Sequence, residues 1–388
     1  MRSWAWLAVC LGWLNVAAAG ELAELTKTTE TLLKGCRVTA RDGTVLYTPD
    51  GKGNYKALWT RDFAYMVENA GDLMPAEDIE RAIRYLLKGV REDGAAPDRV
   101  NPEGKAIYVA GGEQNPLGEP NLDNGPFLVI AVDEYLKRLS PEQSRKLFRE
   151  WSPTLAKGMD YLPRSPRGLI ENDPAKPHSP YGFTDTVGKT GELLFESLLY
   201  WTASRRLRDR HLALEERERA AKYQKRSTLI EEHLDLLWDE KRGAFYAATK
   251  DCHQIDVWGN AYALAIGFPV RHKQERIVKF LADNYERYAY RGQVRHLLVG
   301  EYWERLLTKV PHDRYQNGAY WGTASGWVMT ALAEKHRPLV ERMWREVNED
   351  YRDRGVCECI TADYRQLPSY VVSATNVLAA GRKLGLGK

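Results

Sequence analysis

Apolar residues recur at every third or fourth position through twelve stretches of the chain, and each stretch predicts an amphipathic helix. The stretches are Leu22–Leu33, Phe63–Asp72, Ala76–Val90, Asp123–Leu139, Pro141–Tyr161, Val187–Asp209, Leu214–Trp238, Val257–Ile266, Lys273–Tyr285, Tyr320–Ala333, Leu339–Tyr351 and Val371–Leu384. Two starts carry local signals: Pro141 follows Ser140 at a first helical position, and Glu77 and Asp78 stand in the first turn after Pro75. No convincing strand-like alternation separates the stretches, so the expected class is all-α. The connections are of two kinds. Gly71 to Pro75 is short, whereas 93–124, 163–186 and 351–370 are long and rich in Gly, Pro, Asn and Asp. Long and short loops around paired helices predict an (α/α) toroid, with inner helices ringing a cavity and the long loops gathered at one mouth. A helical solenoid would show a fixed sequence period, and none is present.

Ahead of the first helix, Arg2 provides a positive end, Trp4 to Val16 is an almost uncharged apolar run, and Ala17-Ala18-Ala19-Gly20 offers small residues. This predicts a secretory signal over residues 1–20, cleavage near Gly20, and an exported protein, periplasmic or secreted. Residues 21–388 are expected to form one domain. The apolar run is too short to cross a bilayer, and no later run reaches the roughly 18 residues required, so no membrane span is expected. Export permits disulfides. Cys36, Cys252, Cys357 and Cys359 remain, and either a bridge from Cys36 or Cys252 to the Cys357/Cys359 segment or four buried thiols fits the spacing. No His stands at ligand spacing from that pair, so no metal is expected.

Composition narrows the function. With 44% hydrophobic residues, 388 residues can bury a large core. Lys+Arg 56 against Asp+Glu 53 is too balanced for a nucleic-acid binder. The mixed-sign run from Ala203 to Arg226 reads as a solvated outer helix. Gly111-Gly112 lacks the Lys-Ser/Thr ending of a phosphate loop, so no nucleotide cofactor is implied. Trp 12 and Tyr 21 outnumber Phe 8, and their flat faces with polar tips suit a sugar ring. The expected partner is a carbohydrate.

The candidate chemistry gathers in loops. Trp59-Thr60-Arg61-Asp62-Phe63 sets an aromatic wall beside an Arg and an Asp. Asp98-Arg99, Asp123-Asn124, Asp256-Val257-Trp258 and Gly300-Glu301-Tyr302 repeat the polar–aromatic pattern, and His253, His296 and His312 are expected in the pocket or core. Leu58-Trp59-Thr60-Arg61-Asp62 resembles the motif with which glucoamylases and their relatives bind a terminal sugar. Tyr315-Gln316-Asn317-Gly318-Ala319-Tyr320-Trp321-Gly322 resembles the late aromatic segment of six-hairpin glycosidases. The chain is thus similar to the six-hairpin glycosidase superfamily, near trehalases, glucoamylases and small-α-glucoside glucosidases. The resemblance covers most of residues 45 to 385 and implies an (α/α)6 toroid that hydrolyses a glycosidic bond by inversion, at the non-reducing end. It also implies that Arg61 and Asp62 hold sugar hydroxyls against Trp59. Tyr315, Gln316, Asn317, Tyr320 and Trp321 join Asp98, Arg99, Asp123, Asn124, Trp258 and Glu301 as expected substrate contacts.

Such hydrolysis needs one carboxyl to protonate the leaving oxygen and another to activate water, roughly 6.5–9.5 Å apart in inverting enzymes. The resemblance puts the acid in a mid-chain loop and the base near the C-terminus. Asp185, beside Tyr181 and Phe183 before an apolar run, is the first choice for acid, although Thr184 or Asp185 could equally cap that helix; Asp173 and Glu171 are the alternatives. Glu358, set among Val356, Cys357, Cys359 and Ile360 where a charge is conspicuous unless it faces a cavity, is the first choice for base, ahead of Asp363 and Glu301. The rival readings are a polysaccharide lyase or glycoside phosphorylase on the same toroid, or a non-catalytic carbohydrate-binding protein. The sugar, its linkage and the oligomeric state are left open.

Overall fold

The computed structural model describes the backbone of residues 4–388 and the side chains from Gly20 onward, so the side chains of the expected signal segment lie outside the described residues. The helices are α1 (Trp4–Gly35), α2 (Thr60–Ala70), α3 (Ala76–Lys88), α4 (Asn124–Leu136), α5 (Pro141–Tyr161), α6 (Leu194–Ala213), α7 (Arg217–His233), α8 (Val257–Ala265), α9 (Gln274–Asp283), α10 (Tyr285–Tyr288), α11 (Ser325–Leu332), α12 (Arg337–Arg354) and α13 (Val371–Leu384). The structure is mainly helical, and no described helix is long and apolar enough to cross a membrane.

The helices fall into two classes that their sequences explain. In α4 every residue except Glu134 is buried, and α2, α8 and α13 are nearly as enclosed. A helix that is apolar or small on all sides must be surrounded. Accordingly α2 packs on α4, α4 on α6, α6 on α8, α8 on α11, α11 on α13, and α13 returns to α2. The other class is amphipathic and lies outside this ring. α3 and α5 pack on α4, α7 on α6, α9 on α8, α12 on α11 and α1 on α13. In α3 the inward stripe is Ile79, Ala82, Ile83 and Leu86, all fully buried; each of its large apolar side chains stabilises the packing by about 2 kcal/mol.

Two helices start later than the apolar period suggests. The expected helix from Val187 begins only at Leu194, because Gly191 takes φ 81° and the Gly191–Glu192 segment pairs with Glu171–Asn172. The expected helix from Tyr320 begins at Ser325, because Tyr320 exchanges backbone hydrogen bonds with Ile360 and Trp321 with Val294. These pairings shorten the helices but bring the loops together. Short antiparallel ladders of this kind recur, among them Leu58–Trp59 with Arg99–Val100 and Cys357–Ile360 with Arg365–Pro368. Runs of two to four residues are too short for an alternating pattern to show in the sequence. Cys36, Cys252, Cys357 and Cys359 are free and buried, so the bridge alternative is not realised.

Candidate active site

The first turn of α2 and the residue before α13 border one pocket, closed over by the loops around residues 49–59, 181–186, 315 and 358. It is narrow, with a cavity volume of about 40 Å³, well below that of sites that enclose a whole small ligand.

Arg61 and Asp62 occupy that first turn. Buried Arg61 donates from Nε to Asp123 Oδ2 at 2.8 Å, and from Nη2 to Asp98 Oδ1 and to Asn124 Oδ1 at 3.3 Å, leaving Nη1 for a ligand. Asp98 also accepts from Asn121 Nδ2 at 3.2 Å and Arg99 Nη1 at 2.5 Å. Asp98, Arg99, Asp123 and Asn124 were expected against substrate. The structure places them behind Arg61 instead, as its buried support, because an Arg taken out of water needs its charge offset. The ladder between Leu58–Trp59 and Arg99–Val100 also sets the Arg99 guanidinium 5.2 Å from the Trp59 ring centre, stiffening that wall. Gly182 donates its N–H to Asp123 Oδ2 at 2.8 Å, and a Cβ there would overlap the Arg61 side chain, so only glycine permits this approach.

Three carboxyls face the pocket. Asp62 Oδ1 accepts from Tyr370 OH at 2.6 Å, and burial still pushes its pKa up to about 6. Asp185 Oδ1 accepts from Gln316 Nε2 at 2.8 Å. Burial pushes Asp185 up to about 7 against the pull of Arg61 and of that hydrogen bond. Glu358 lies in the Cys357–Ile360 strand, where alternation turns it opposite to its two cysteine neighbours. Its Oε1 accepts from Tyr55 OH at 2.8 Å while buried Oε2 has no partner. Burial, with the negative charge of Asp62 and Asp185 adding to it, raises Glu358 to about 8. Two interacting carboxyls of raised pKa hold one proton between them over an intermediate pH range. Glu358 has the higher value and holds that proton more often, so hydrolysis draws on the less populated arrangement with the proton on Asp185 and Glu358 ionised.

The remaining expected residues separate clearly. Trp59 and Tyr315 line the pocket; Tyr315 sits at φ 45°, a strained placement that accompanies its position at the site. Gln316 binds Asp185 rather than open space. Trp258 and Trp321 are fully buried beneath Phe183, at 6.0 and 5.5 Å between ring centres, and support the floor without reaching the cavity. Tyr320 packs on Tyr290, and Asn317 accepts from Trp303 N–H at 3.1 Å, both outside the pocket. Glu171 lies in a ladder opposite Glu192, and exposed Asp173 caps a turn at Ala175 N. Glu301 pairs with Arg242 at 2.8 Å and Asp363 with Arg314 at 2.8 Å. None of these four carboxyls borders the cavity. His296 is buried against Trp258, its Nε2 bonded to Phe183 O at 3.0 Å, whereas His253 and His312 are exposed and stack on Tyr246 and Tyr302. An exposed imidazole needs no core, which corrects that expectation.

Tyr55, Tyr370 and Pro49 complete the lining and were missed. Tyr55 was findable from its neighbours. Asp50 accepts from the backbone N–H groups of Lys52, Asn54 and Tyr55 at 2.8, 3.3 and 2.8 Å, a turn that the Asp-Gly-Lys-Gly-Asn-Tyr run foretells.

No family model matches the chain, and no curated protein is similar to it. Solved structures are. A GH63 mannosylglycerate hydrolase from Thermus thermophilus, in complex with Tris and D-glycerate, superposes with a TM-score of 0.65 at 16% identity, over 92% of this chain and 99% of that one. The same hydrolase in complex with glucose gives 0.66 at 16% identity with the same coverage. A glycosidase variant in complex with glucose gives 0.68 at 12% identity, over 95% of this chain and 98% of that one. The fold is therefore shared with these glycosidases almost end to end.

Proposed function

We propose that the protein is a glycoside hydrolase built as an (α/α)6 toroid. The observation that carries this reading is the pair Asp185 and Glu358, two enclosed carboxyls of raised pKa in one pocket walled by Trp59 and Tyr315. The toroid reading rests on the closed circuit of α2, α4, α6, α8, α11 and α13 with six outer partners. The shared fold with glycosidases, two of them holding glucose, favours a sugar in the pocket.

Asp185 acts as general acid and Glu358 as general base. Asp185 protonates the leaving oxygen; Glu358 takes a proton from a water that attacks the anomeric carbon from the other side. Arg61 Nη1 and Asp62 hold hydroxyls of the terminal ring, with Trp59 against its face. The bound ring is uncharged. Three carboxyls line the cavity, and its one cation among the described residues, Arg61, is offset by Asp98 and Asp123, so a uronate would enter without a counter-charge. A narrow pocket bordered by the first turn of α2 suits exo-action at the non-reducing end, and the mechanism is inverting.

The test is hydrolysis of a panel of neutral α- and β-linked oligosaccharides, with products followed by chromatography and the first-formed anomer by proton NMR. Release of single terminal units with inverted configuration is expected. Random internal cleavage would remove exo-action, and retained configuration would remove the roles given to Glu358. We further propose that residues 1–20 are removed on export and that residues 21–388 form one domain. N-terminal sequencing of protein recovered outside the cytoplasm should begin near Glu21, and unfolding should be a single transition; an intact Met1 on that protein contradicts cleavage, and recovery from the cytoplasm alone contradicts export.

A further inference from the structure

Gln316 was expected to touch sugar, yet both ends of its amide are occupied within the protein. Its Oε1 accepts from Thr186 N–H at 2.8 Å and from Thr186 Oγ1 at 2.7 Å. A backbone N–H can only donate, so this end of the amide must be oxygen and the other must be NH2. That NH2 donates to Gly182 O at 3.0 Å and to Asp185 Oδ1 at 2.8 Å. Rotating the amide by half a turn would set donor against donor at Thr186 and acceptor against acceptor at Asp185 and Gly182. The side chain therefore has one stable orientation, and it is buried.

We propose that Gln316 is a positioning residue for the general acid: by occupying Oδ1 of Asp185 it leaves the transferable proton on Oδ2. The inference rests on the hydrolase reading above. A carboxyl whose one oxygen faces a fixed N–H keeps its O–H on the other, and Oδ2 has no partner among the described residues. During cleavage the Oδ2–H bond breaks, its proton joins the leaving oxygen, and the electron pair of the glycosidic C–O bond goes to that oxygen. Water bonds to the anomeric carbon and gives its proton to Glu358. The hydrogen bond from Gln316 also favours ionised Asp185, so it tunes the acid as well as aiming it.

The test compares wild type, Gln316→Met and Thr186→Val. Methionine keeps the length of the side chain and removes both hydrogen-bonding ends; valine removes only the Thr186 hydroxyl and serves if the first variant does not fold. Two substrates of the accepted sugar are used: a glycoside with a sugar leaving group, and the glycosyl fluoride, whose leaving group needs no proton. On the first, kcat should fall about 100-fold in Gln316→Met and about 5-fold in Thr186→Val, with KM within about twofold. On the fluoride, kcat should stay within about threefold. The alkaline limb of kcat/KM should move to higher pH in Gln316→Met, because the donor that favours the carboxylate is gone. Equal losses on both substrates, a raised KM, or no loss on either would overturn the proposal. A wild type inert on every glycoside would instead overturn the hydrolase reading. The positioning claim is then decided by carbon-13 NMR titration of Asp185, which must shift upward by about one pH unit in Gln316→Met and must not stay in place.

Discussion

Two largely enclosed clusters of carboxylates lie near opposite ends of the same inner helices, and they are built differently. In the last turns of α2 and α4, Glu68, Asp133 and Glu134 meet Arg206 from α6, with Arg210 and Lys137 adding to Asp133. Burial acts to raise Asp133, but Arg206, Lys137 and Arg210 outweigh it and hold its pKa below the usual carboxylate range. At the other end, Asp62, Asp185 and Glu358 face a cavity whose only cation among the described residues is already paired, and all three are raised. Glu68 is raised by burial despite Arg206, so the contrast is carried by Asp133: a buried carboxylate is held ionised where three cations answer it and is raised where the nearby cation is already shared.

The contrast breaks most sharply under substitution. Asp185→Asn and Glu358→Gln should each lower kcat by about 1,000-fold or more, with the thermal midpoint unchanged or raised, because a neutral isostere removes a buried charge that nothing answers. Asp133→Asn should do the reverse: stability falls by about 3 kcal/mol, since half-buried Arg210 loses its carboxylate partner and Arg206 one of its three, while activity per folded molecule holds. Kinetics and denaturant titration on the three variants check both halves.

Next in size is the pH dependence. A carboxyl raised on folding contributes stability that is complete below its unfolded pKa and is lost as pH rises through its folded value. For Asp185 and Glu358 this window runs from about 4 to about 8. Wild-type stability should therefore decline relative to the Asp185→Asn/Glu358→Gln double variant across that range, measured by urea unfolding at each pH. A parallel pair of curves would contradict the raised values.

Tyr55→Phe should lower kcat about tenfold, because Glu358 loses the donor at Oε1 that favours its ionised form. The acid limb of the kcat profile should move to higher pH with it. The smallest effects belong to Glu171→Gln, Asp173→Asn and Asp363→Asn, each within about twofold of wild type, since these carboxyls pair or cap at a distance from the cavity. A large loss in any of them would reopen the choice of acid or base.

The helical pattern was legible because inner and outer helices differ in how far their apolar stripe wraps, as α4 and α3 show. Arg61, Asp62, Asp185 and Glu358 stood out for a related reason: a charge beside aromatic or apolar neighbours in a loop has few places to go but a cavity. What stayed hidden was which polar group answers which. Asp98 and Asp123 carry the same local signal as Asp62, yet they turn away from the pocket to neutralise Arg61, a pairing across 37 and 62 residues that no local pattern records. Gln316 was placed in the right region with the wrong partner, because its orientation is decided by Thr186, 130 positions away.

The most direct test is release of sugar from neutral α- and β-linked oligosaccharides in phosphate-free buffer by wild type, Asp185→Asn and Glu358→Gln, each verified as folded. Turnover by wild type, lost in both variants, is the predicted result. Turnover that requires phosphate, yields an unsaturated product, or persists in either variant would contradict a hydrolase working through these two carboxyls.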